Sequence, residues 1–412
     1  MISLYGGIQF ALHNCMHLGG LEVTFQAMQN FTFHNPVQIV FGKGSIAKLA
    51  KLVPASAKVL VVYGGGSIKA NGVYPQVMAA LAKHQVFEFG GVEPNPRYET
   101  CMKAVELCRK ENIGFLLSVG GGSVLDGTKF IAAATGFKGS DPWDILAQGA
   151  EVTSAIPLGC VLTLPATGSE MNAGAVVSRN STQEKLFFVS NLVYPVFSIL
   201  DPETTFTLPL RQTANGIVDA FVHTLEQYLT FPADAPLQDR QAEAILNTLI
   251  EEAPKLAKDP KNYSARANIM WCATQALNGN IGLGIPQDWS THGIGHEITA
   301  FYGLDHAQTL AIIWPGVARN RMAGKLAKLV QYGQRVWGLS GADAEVAEAA
   351  IEKTEQFFTT VGCPTRLSAY KVDAGEAAKR VSERFVARGQ GGIGERGDIT
   401  TEEVAKIILS RR

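Results

Sequence analysis

Residues 115–126 read FLLSVGGGSVLD, and this segment indicates the fold class. Its first five residues are mostly apolar and indicate a buried strand, which opens directly into three glycines. The same order occurs earlier in the chain, where a strand predicted over residues 58–63 runs into the GGGS of residues 64–67. Two such turns in one parallel sheet give two places where backbone amides can meet a phosphate.

Strand-like runs alternate with helical periodicity from residue 41 to about residue 200. Another strand is predicted over residues 86–89, and such alternation is typical of a parallel α/β sheet. Beyond residue 207 the strands vanish and long amphipathic segments replace them. We therefore predict a Rossmann-like α/β dinucleotide-binding domain over residues 31–207 and an all-α metal-binding domain over residues 208–412.

The two ends of the chain carry weaker signals. Residues 1–30 lack the charged and apolar regions of a signal peptide, so we predict an N-terminal extension or linker there. Near the other end, Thr400 stands three residues before Glu403, which is the spacing of a capping box. A last helix is expected to start at that point.

Composition and charge exclude several classes of protein. The chain has 36 Lys and Arg against 37 Asp and Glu, which argues against a nucleic-acid partner. The 46% hydrophobic share and 18% charged share exclude a disordered chain. No membrane partner is expected, because the most apolar stretch, residues 186–200, is interrupted and too short to span. The six cysteines form no CxxC pair, which indicates reduced thiols and a cytoplasmic location.

Half of the eight histidines fall in two short segments of the second half. Asp219 and His223 stand four residues apart, so on a helix they share a face and could bind one ion. His292 and His296 repeat that spacing, and His306 follows after a short loop. One such pair is more often an accident or a satisfied buried histidine, but clustering in apolar surroundings favours a metal. A set of carboxylate and imidazole ligands suits Fe, Zn, Ni, Co or Mn without choosing among them.

Residues 163–170, TLPATGSE, are rich in hydroxyls and small side chains. Together with the two glycine turns, this segment indicates a nucleotide that lies across the strand ends. Neither turn fits the GxGxxG fingerprint, so each is a weak signal by itself. If a metal and a dinucleotide share one cleft, the expected chemistry is hydride transfer at a carbon whose oxygen the metal polarises.

In this order, these segments make the sequence resemble the iron-containing (group III) alcohol dehydrogenase family. It closely resembles the NADPH-dependent aldehyde reductase and butanol dehydrogenase branch of that family. The resemblance runs from about residue 31 to the C-terminus. It rests on the two glycine-rich segments 41–44 and 120–126, on residues 163–172, on Asp201-Pro202, and on the aspartate and histidines described above.

The resemblance implies a role for each matching residue. The metal ligands would be Asp219, His223, His292 and His306. His296 would lie near the nicotinamide, and Asp126 would lie beside the reactive end of the cofactor. His296, or a water that it positions, is our candidate for delivering the proton. The remaining cofactor contacts would be Gly64, Gly65, Ser67, Gly121, Gly122, Ser123, Thr163, Thr167, Asn172 and Lys185.

The first glycine turn favours NADP(H). Relatives that prefer NAD carry an acidic residue there, which binds the ribose hydroxyls and would repel a 2'-phosphate. Here residues 64–67 hold no carboxylate and Lys69 follows, although Lys69 could equally be a solvated surface charge.

The predicted function is a metal-dependent NADP(H) oxidoreductase that interconverts aldehydes and primary alcohols by hydride transfer, with the metal as Lewis acid. One divalent metal is expected, Fe2+, Zn2+ or Ni2+, together with a small aldehyde or alcohol substrate near residues 141–143 and 287–289. The resemblance also implies a homodimer. The alternatives are a polyol dehydrogenase of the same fold, a metallohydrolase that activates water, and a binder without turnover.

Overall fold

The computed structural model describes residues 26–390 and 392–412. The strands are β1 (Gln26–Ala27), β2 (Gln38–Phe41), β3 (Lys58–Tyr63), β4 (Gln85–Phe89), β5 (Phe115–Gly121), β6 (Leu158–Leu164), β7 (Gly174–Arg179), β8 (Glu184–Val189), β9 (Phe197–Leu200) and β10 (Ala233–Asp234).

Helices accompany the sheet and then make up nearly all of the second half. They are α1 (Leu49–Leu52), α2 (Ser67–Ala70), α3 (Val73–Ala80), α4 (Tyr98–Glu111), α5 (Gly122–Gly136), α6 (Asp144–Ala147), α7 (Leu210–Tyr228), α8 (Pro236–Lys258), α9 (Tyr263–Ala276), α10 (Ser290–Tyr302), α11 (His306–Asn320), α12 (Met322–Trp337), α13 (Asp343–Val361), α14 (Ala374–Ala387) and α15 (Thr401–Leu409). We call the part up to β9 the sheet half and the part from α7 onward the helical half.

A six-stranded parallel sheet, in the order β2-β9-β6-β5-β3-β4, forms the centre of the sheet half. Both of its faces are covered, which explains why β3 and β5 read as nearly continuous apolar runs. Tyr63 at the end of β3 pairs with Val119 in β5. The two glycine turns therefore lie side by side at the carboxyl edge, where open α/β sheets bind their ligands.

The helical half packs around α7, whose residues are buried along most of its length. Phe221 in α7 makes an edge contact with Phe358 in α13, with ring centroids 5.5 Å apart. The apolar stripe of α8, which includes Leu246 and Leu249, packs into the same core. Because α7 is central, side chains on its cleft-facing turns are held rigidly.

The predicted fold class is confirmed, and the strand bounds are close to the predicted ones. β3 coincides with residues 58–63, and β5 continues to Gly121 because its pairing with β6 extends to Leu164. The capping box is confirmed: the Thr400 hydroxyl accepts from the Glu403 amide, and Glu403 accepts from the Thr400 amide.

Two features were not predicted. The antiparallel hairpin of β7 and β8 interrupts the parallel pattern, and the helical half contributes the short β10, which pairs with β1. Most of the predicted extension, residues 1–25, lies outside the described residues. Within the remainder, the Gln29 amide donates to the Gly284 carbonyl at 2.8 Å.

Two further observations concern the described part of the chain. None of its helices is both long and apolar enough to cross a membrane. Its five cysteines are buried and form no disulfide with one another.

Candidate active site

Three helices bring the predicted metal ligands together. Asp219 and His223 lie one turn apart on α7, His292 lies in the first turn of α10, and His306 is the first residue of α11. The start of α11 is fixed by a capping box between Asp305 and Gln308, which sets the position of His306.

The donor atoms of Asp219, His292 and His306 lie within 4.8 Å of one another. The Nε2 atoms of His223 and His306 are each 3.8 Å from Oδ1 of Asp219. That distance is too long for a hydrogen bond but close to the separation of two ligands that each lie about 2.0–2.2 Å from one ion. His223 lies outside the triplet, and its ring stacks on His292 with centroids 4.7 Å apart.

A divalent cation fits this cluster because its buried polar atoms lack other partners. Within the described chain, Oδ1 of Asp219 and Nε2 of His292 are buried and make no hydrogen bond. Leaving such atoms unsatisfied in a protein interior is costly, and a metal would satisfy both at once.

The electrostatics of the cluster also suit a metal. Burial lowers the pKa of His292 to about 3 and lowers the pKa values of His223 and His306 well below the usual range. Their imidazoles are therefore neutral, which is the form that coordinates metals. Burial raises the pKa of Asp219 to about 7, and the Lys185 ammonium opposes this rise.

Glu226 contacts Nδ1 of His292, and the sequence analysis did not identify it. Its carboxylate accepts from Nδ1 of His292 and from the amide of Thr291 at 2.7 Å. The bond to Nδ1 leaves Nε2 of His292 free to face the cluster, as is usual for metal-bound histidines. Its signal in the sequence is the spacing, since Glu226 follows Asp219 by seven residues on one helix face.

His296 lies beside the cluster rather than in the triplet. Its ring centroid is 5.1 Å from that of His306 and 6.1 Å from that of His292. Its Nε2 atom is buried and has no hydrogen-bond partner in the part of the chain that is described. The nitrogen is therefore available to a substrate or a water.

The second glycine turn is packed so tightly that it requires glycine. A Cβ at Gly122 would lie 2.3 Å from Oγ1 of Thr167, and one at Gly121 would lie 2.9 Å from Cβ of Leu164. Gly122 starts the 15-residue helix α5, so the first amides of this helix point out of the turn beside Ser123. A helix start of this kind attracts phosphate oxygens.

At the first glycine turn, Gly64 and Gly65 follow β3, and Ser67 starts α2 after Gly66, which has φ 94°. Lys69 is not free there, because Nζ lies 3.3 Å from Oε2 of Glu88 on the neighbouring β4. The turn itself has no carboxylate, but the adjacent strand supplies one, which the sequence reasoning did not foresee.

A cavity of about 310 Å³ lies between the segment after α2 and the segment after β9, and no residue of the glycine turn lines it. Asn71 and Val73 line one side of it, and Asp201 and Thr204, which follow β9, line the other. Lys261 from the helical half completes the wall. The cavity is separate from the histidine cluster.

Asp126 and Asn172 are bonded within the chain. Asp126 accepts from the Ser169 hydroxyl at 2.7 Å and from the Val176 amide at 3.0 Å. Asn172 donates to the Gly168 carbonyl at 2.9 Å. Both residues hold the segment that follows β6, on which Thr167 lies, whereas Thr163 is within β6 itself.

Lys129 organises the same segment and was also missed. Its buried Nζ donates to the carbonyls of Ser169, Asn172 and Gly174, each at 2.8 Å. Burial lowers its pKa to about 8, while Asp126 opposes this effect. The signal for this role in the sequence was the presence of a lysine in an otherwise strongly apolar helix.

Lys185 connects the two halves electrostatically. Its ammonium is buried and donates to Oδ1 of Asn95 at 2.9 Å. Burial lowers its pKa to about 8, and Asp219 on the helical side and Asp126 on the sheet side both oppose this shift. Lys185 therefore lies near the carboxylates of both halves.

Only one of the two segments expected around the substrate adjoins the cluster. The Trp289 ring is 5.3 Å from that of His292. Asp141 instead accepts from Tyr98 and pairs with Arg179, and Trp143 is buried in the core of the sheet half.

Comparison with known proteins gives consistent matches over nearly the whole chain. The model of the family described as iron-containing alcohol dehydrogenase matches residues 36–202, and the model of the C-terminal part of that family matches residues 213–411. The chain is 56% identical to the NADPH-dependent aldehyde reductase YqhD of Escherichia coli K12, over 93% of this chain and 100% of that protein. It is 43% identical to the probable NADH-dependent butanol dehydrogenase 1 of Bacillus subtilis 168, over 92% and 99%.

Solved structures agree with these matches. The crystal structure of Escherichia coli K-12 YqhD superposes with a TM-score of 0.92 at 55% identity, covering 94% of this chain and 100% of that one. The NADH-dependent butanol dehydrogenase A of Thermotoga maritima superposes with a TM-score of 0.89 at 35% identity, covering 94% and 99%.

Proposed function

The chain belongs to the iron-containing alcohol dehydrogenase family, and on that premise we propose that it is a metal-dependent aldehyde reductase that uses NADPH. The observation that carries the proposal is the convergence of Asp219, His292 and His306 within 4.8 Å, in a chain whose other half offers two glycine turns. The 56% identity to a protein named as an NADPH-dependent aldehyde reductase supports it.

The proposed metal ligands are Asp219, His223, His292 and His306. The unsatisfied Oδ1 of Asp219 and Nε2 of His292 support this set. So do the 3.8 Å distances from Oδ1 of Asp219 to Nε2 of His223 and of His306. One carboxylate and three imidazoles suit Fe2+, Zn2+ and Ni2+ alike, so the metal in the cell depends on availability as well as on the ligands.

For the cofactor, we propose that the amides of Gly121, Gly122 and Ser123 bind the pyrophosphate. Their position at the start of α5 supports this assignment. The adenosine end would lie at Gly64, Gly65 and Ser67, in the turn between β3 and α2. The contacts nearer the nicotinamide would come from Asp126, Thr163, Thr167, Asn172 and Lys185.

The choice of NADPH over NADH rests on the first glycine turn. Because residues 64–67 carry no carboxylate, their amides and the Ser67 hydroxyl can donate hydrogen bonds to a 2'-phosphate without repulsion. Lys69 would contribute once the phosphate competes with Glu88 for its ammonium.

In the proposed mechanism, NADPH would supply the hydride and a divalent cation would supply Lewis-acid polarisation of the aldehyde carbonyl. The ligands on α7, α10 and α11 would hold that cation, and Glu226 would hold His292 with its Nδ1 protonated. His296 delivers the proton from Nε2, directly or through a water that it positions. The Trp289 ring lies beside the rings of His223 and His292, with centroids 6.2 Å and 5.3 Å away.

We also propose residues 31–207 as the dinucleotide-binding domain and residues 208–412 as the metal-binding domain.

A homodimer is proposed as well, and the exposed apolar side chains of Met28, Phe31 and Phe33 are available for such a contact. The buried cysteines without disulfides support a cytoplasmic location.

The proposal is tested by following absorbance at 340 nm with purified protein, butyraldehyde, and either NADPH or NADH. We expect oxidation of NADPH, with a higher kcat/KM than for NADH, and butanol as the product. Faster oxidation of NADH would overturn the cofactor assignment. If neither cofactor is oxidised with any aldehyde of the series from two to eight carbons, the reductase assignment is wrong.

A further inference from the structure

We propose that Arg388, assisted by Arg384, is a positioning residue for hydride transfer. Both arginines lie at the end of α14, and they join helix α10 to the β7–β8 hairpin across the two halves. We call Arg384, Arg388, Glu184 and Glu297 the arginine clamp. This inference rests on the proposed reductase function, since it concerns how the two reacting sides are held together.

The helical side of the clamp is a buried carboxylate. Glu297 on α10 is only 3% exposed, and its Oε2 accepts from Nη1 of Arg384 at 3.0 Å. Its Oε1 accepts from Nη1 of Arg388. A buried charge of this kind is tolerated only when it is fully paired, so Glu297 fixes both guanidinium groups.

The same two arginines also contact the sheet half. Nη2 of Arg388 lies 3.3 Å from Oε1 of Glu184, the first residue of β8. Nη1 of Arg384 donates to the Gln183 carbonyl in the turn before β8. Each guanidinium therefore contacts both halves at once, which makes the clamp a direct mechanical link.

Each carboxylate of the clamp is one residue away from a residue proposed for the active site. Glu184 precedes Lys185, and because side chains alternate along a strand, Lys185 points to the opposite face. There it lies near Asp126 and Asp219. Glu297 follows His296 on α10, so one peptide unit links the clamp to the proposed proton donor.

An aromatic contact limits the freedom of the clamp further. The Arg384 guanidinium lies 3.9 Å from the centroid of the Phe301 ring, which is also on α10. The side chains of Arg384 and Arg388 are each only 16% exposed. The clamp is therefore largely shielded from solvent, and it sets the separation between the hairpin with Lys185 and the helix with His296.

The consequence for catalysis follows from the distance dependence of reactions between positioned groups. A misplacement of about 1 Å can reduce the rate by one to two orders of magnitude. Arg388→Gln cuts the link to Glu184 but leaves Glu297 paired with Arg384, so the fold is retained. Arg388→Lys keeps a cation that can hold one of the two carboxylates.

The experiment measures kcat, KM for NADPH, and the primary deuterium isotope effect on kcat with NADPH deuterated at C4. We expect Arg388→Gln to lower kcat about 10-fold and to increase the isotope effect, because hydride transfer becomes slower than the other steps. Arg388→Lys should recover part of the loss. Lys379→Gln is the matched control, since Lys379 lies on the same helix, is 74% exposed and pairs only with the exposed Glu383 among the described residues.

Four results would decide the matter. A kcat and an isotope effect of Arg388→Gln equal to those of Lys379→Gln would overturn the proposal, as would a loss of activity that merely parallels a loss of bound metal. If Arg388→Gln does not fold, Glu184→Gln removes the same link from a partly exposed position and must then show the rise in isotope effect. Failure of the unmodified protein to oxidise NADPH would instead refute the proposed function itself.

Discussion

Glu226 accepts a hydrogen bond from Nδ1 of His292, and it does so from the same helix that carries Asp219. One helix thus supplies both a proposed metal ligand and the group that orients a second ligand on α10. The amides of Thr291 and His292 also donate to Glu226, which fixes the start of α10 against α7. The geometry of the cluster is therefore built into the packing of two helices before any metal binds.

Glu226→Gln should weaken metal binding without removing a ligand. The amide cannot accept from Nδ1 as strongly as a carboxylate, and such supporting contacts commonly change metal affinity by about 10-fold to 100-fold. The measurement is the metal affinity of the chelated protein by competition with a chromophoric chelator. An affinity equal to that of the unmodified protein would contradict the role given to Glu226.

Substitutions of His292 and His296 should separate metal binding from proton delivery. His292→Ala should lose metal, whereas His296→Ala should keep it and lower kcat by about 10²-fold or more, the usual size of a general acid contribution. Metal content by plasma mass spectrometry and kcat are measured on the same samples. Equal metal loss in both variants would refute this division of roles.

Lys69→Met should reduce the preference for NADPH. If Lys69 binds the 2'-phosphate, its loss should raise KM for NADPH about 10-fold and leave KM for NADH unchanged. Glu88→Gln should act in the opposite direction, because it releases the Lys69 ammonium from its ion pair. Identical ratios of kcat/KM for the two cofactors in all three proteins would show that Lys69 is a surface charge only.

Lys129 should make the stability of the protein depend on pH. Burial lowers its pKa in the folded state to about 8, below the value of about 10.4 in an unfolded chain. Between these values the unfolded chain binds more protons, so the contribution of Lys129 to the free energy of unfolding rises with pH across that window.

Lys129→Met tests this contribution by urea unfolding at pH 7.5 and pH 9.5. The substitution leaves three buried carbonyls without their donor, which should cost about 3 kcal/mol or more at the lower pH. It should also flatten the rise of the urea midpoint between the two pH values. A variant with the same midpoint and the same rise as the unmodified protein would contradict the account.

The sequence predicts those parts of the fold that depend on local pattern. The apolar run of β3, the glycine turns and the capping box at Thr400 are encoded by neighbours in the chain. The i to i+4 spacing of Asp219 and His223 likewise predicted that the two side chains share one face of a helix. Contacts between residues far apart in the sequence could not be predicted from local pattern.

Glu88 lies 19 residues from Lys69, and Arg388 lies 204 residues from Glu184. Such pairings depend on strand order and helix packing, which no spacing rule encodes. Lys129 was missed for a related reason, since its hydrogen-bond acceptors lie in a segment about 40 residues further along the chain. The β7–β8 hairpin was not predicted either, because the parallel alternation around it dominated the pattern.

We propose that a divalent metal held by Asp219, His223, His292 and His306 makes this chain an NADPH-dependent aldehyde reductase. The most direct test follows the oxidation of NADPH by butyraldehyde at 340 nm before chelation, after chelation, and after Fe2+, Zn2+ or Ni2+ is added back, with Asp219→Asn treated in parallel. We predict that chelation abolishes the oxidation, that at least one metal restores it, and that Asp219→Asn is not restored under the same conditions. Full activity of the chelated protein, or full restoration of Asp219→Asn, would contradict the account.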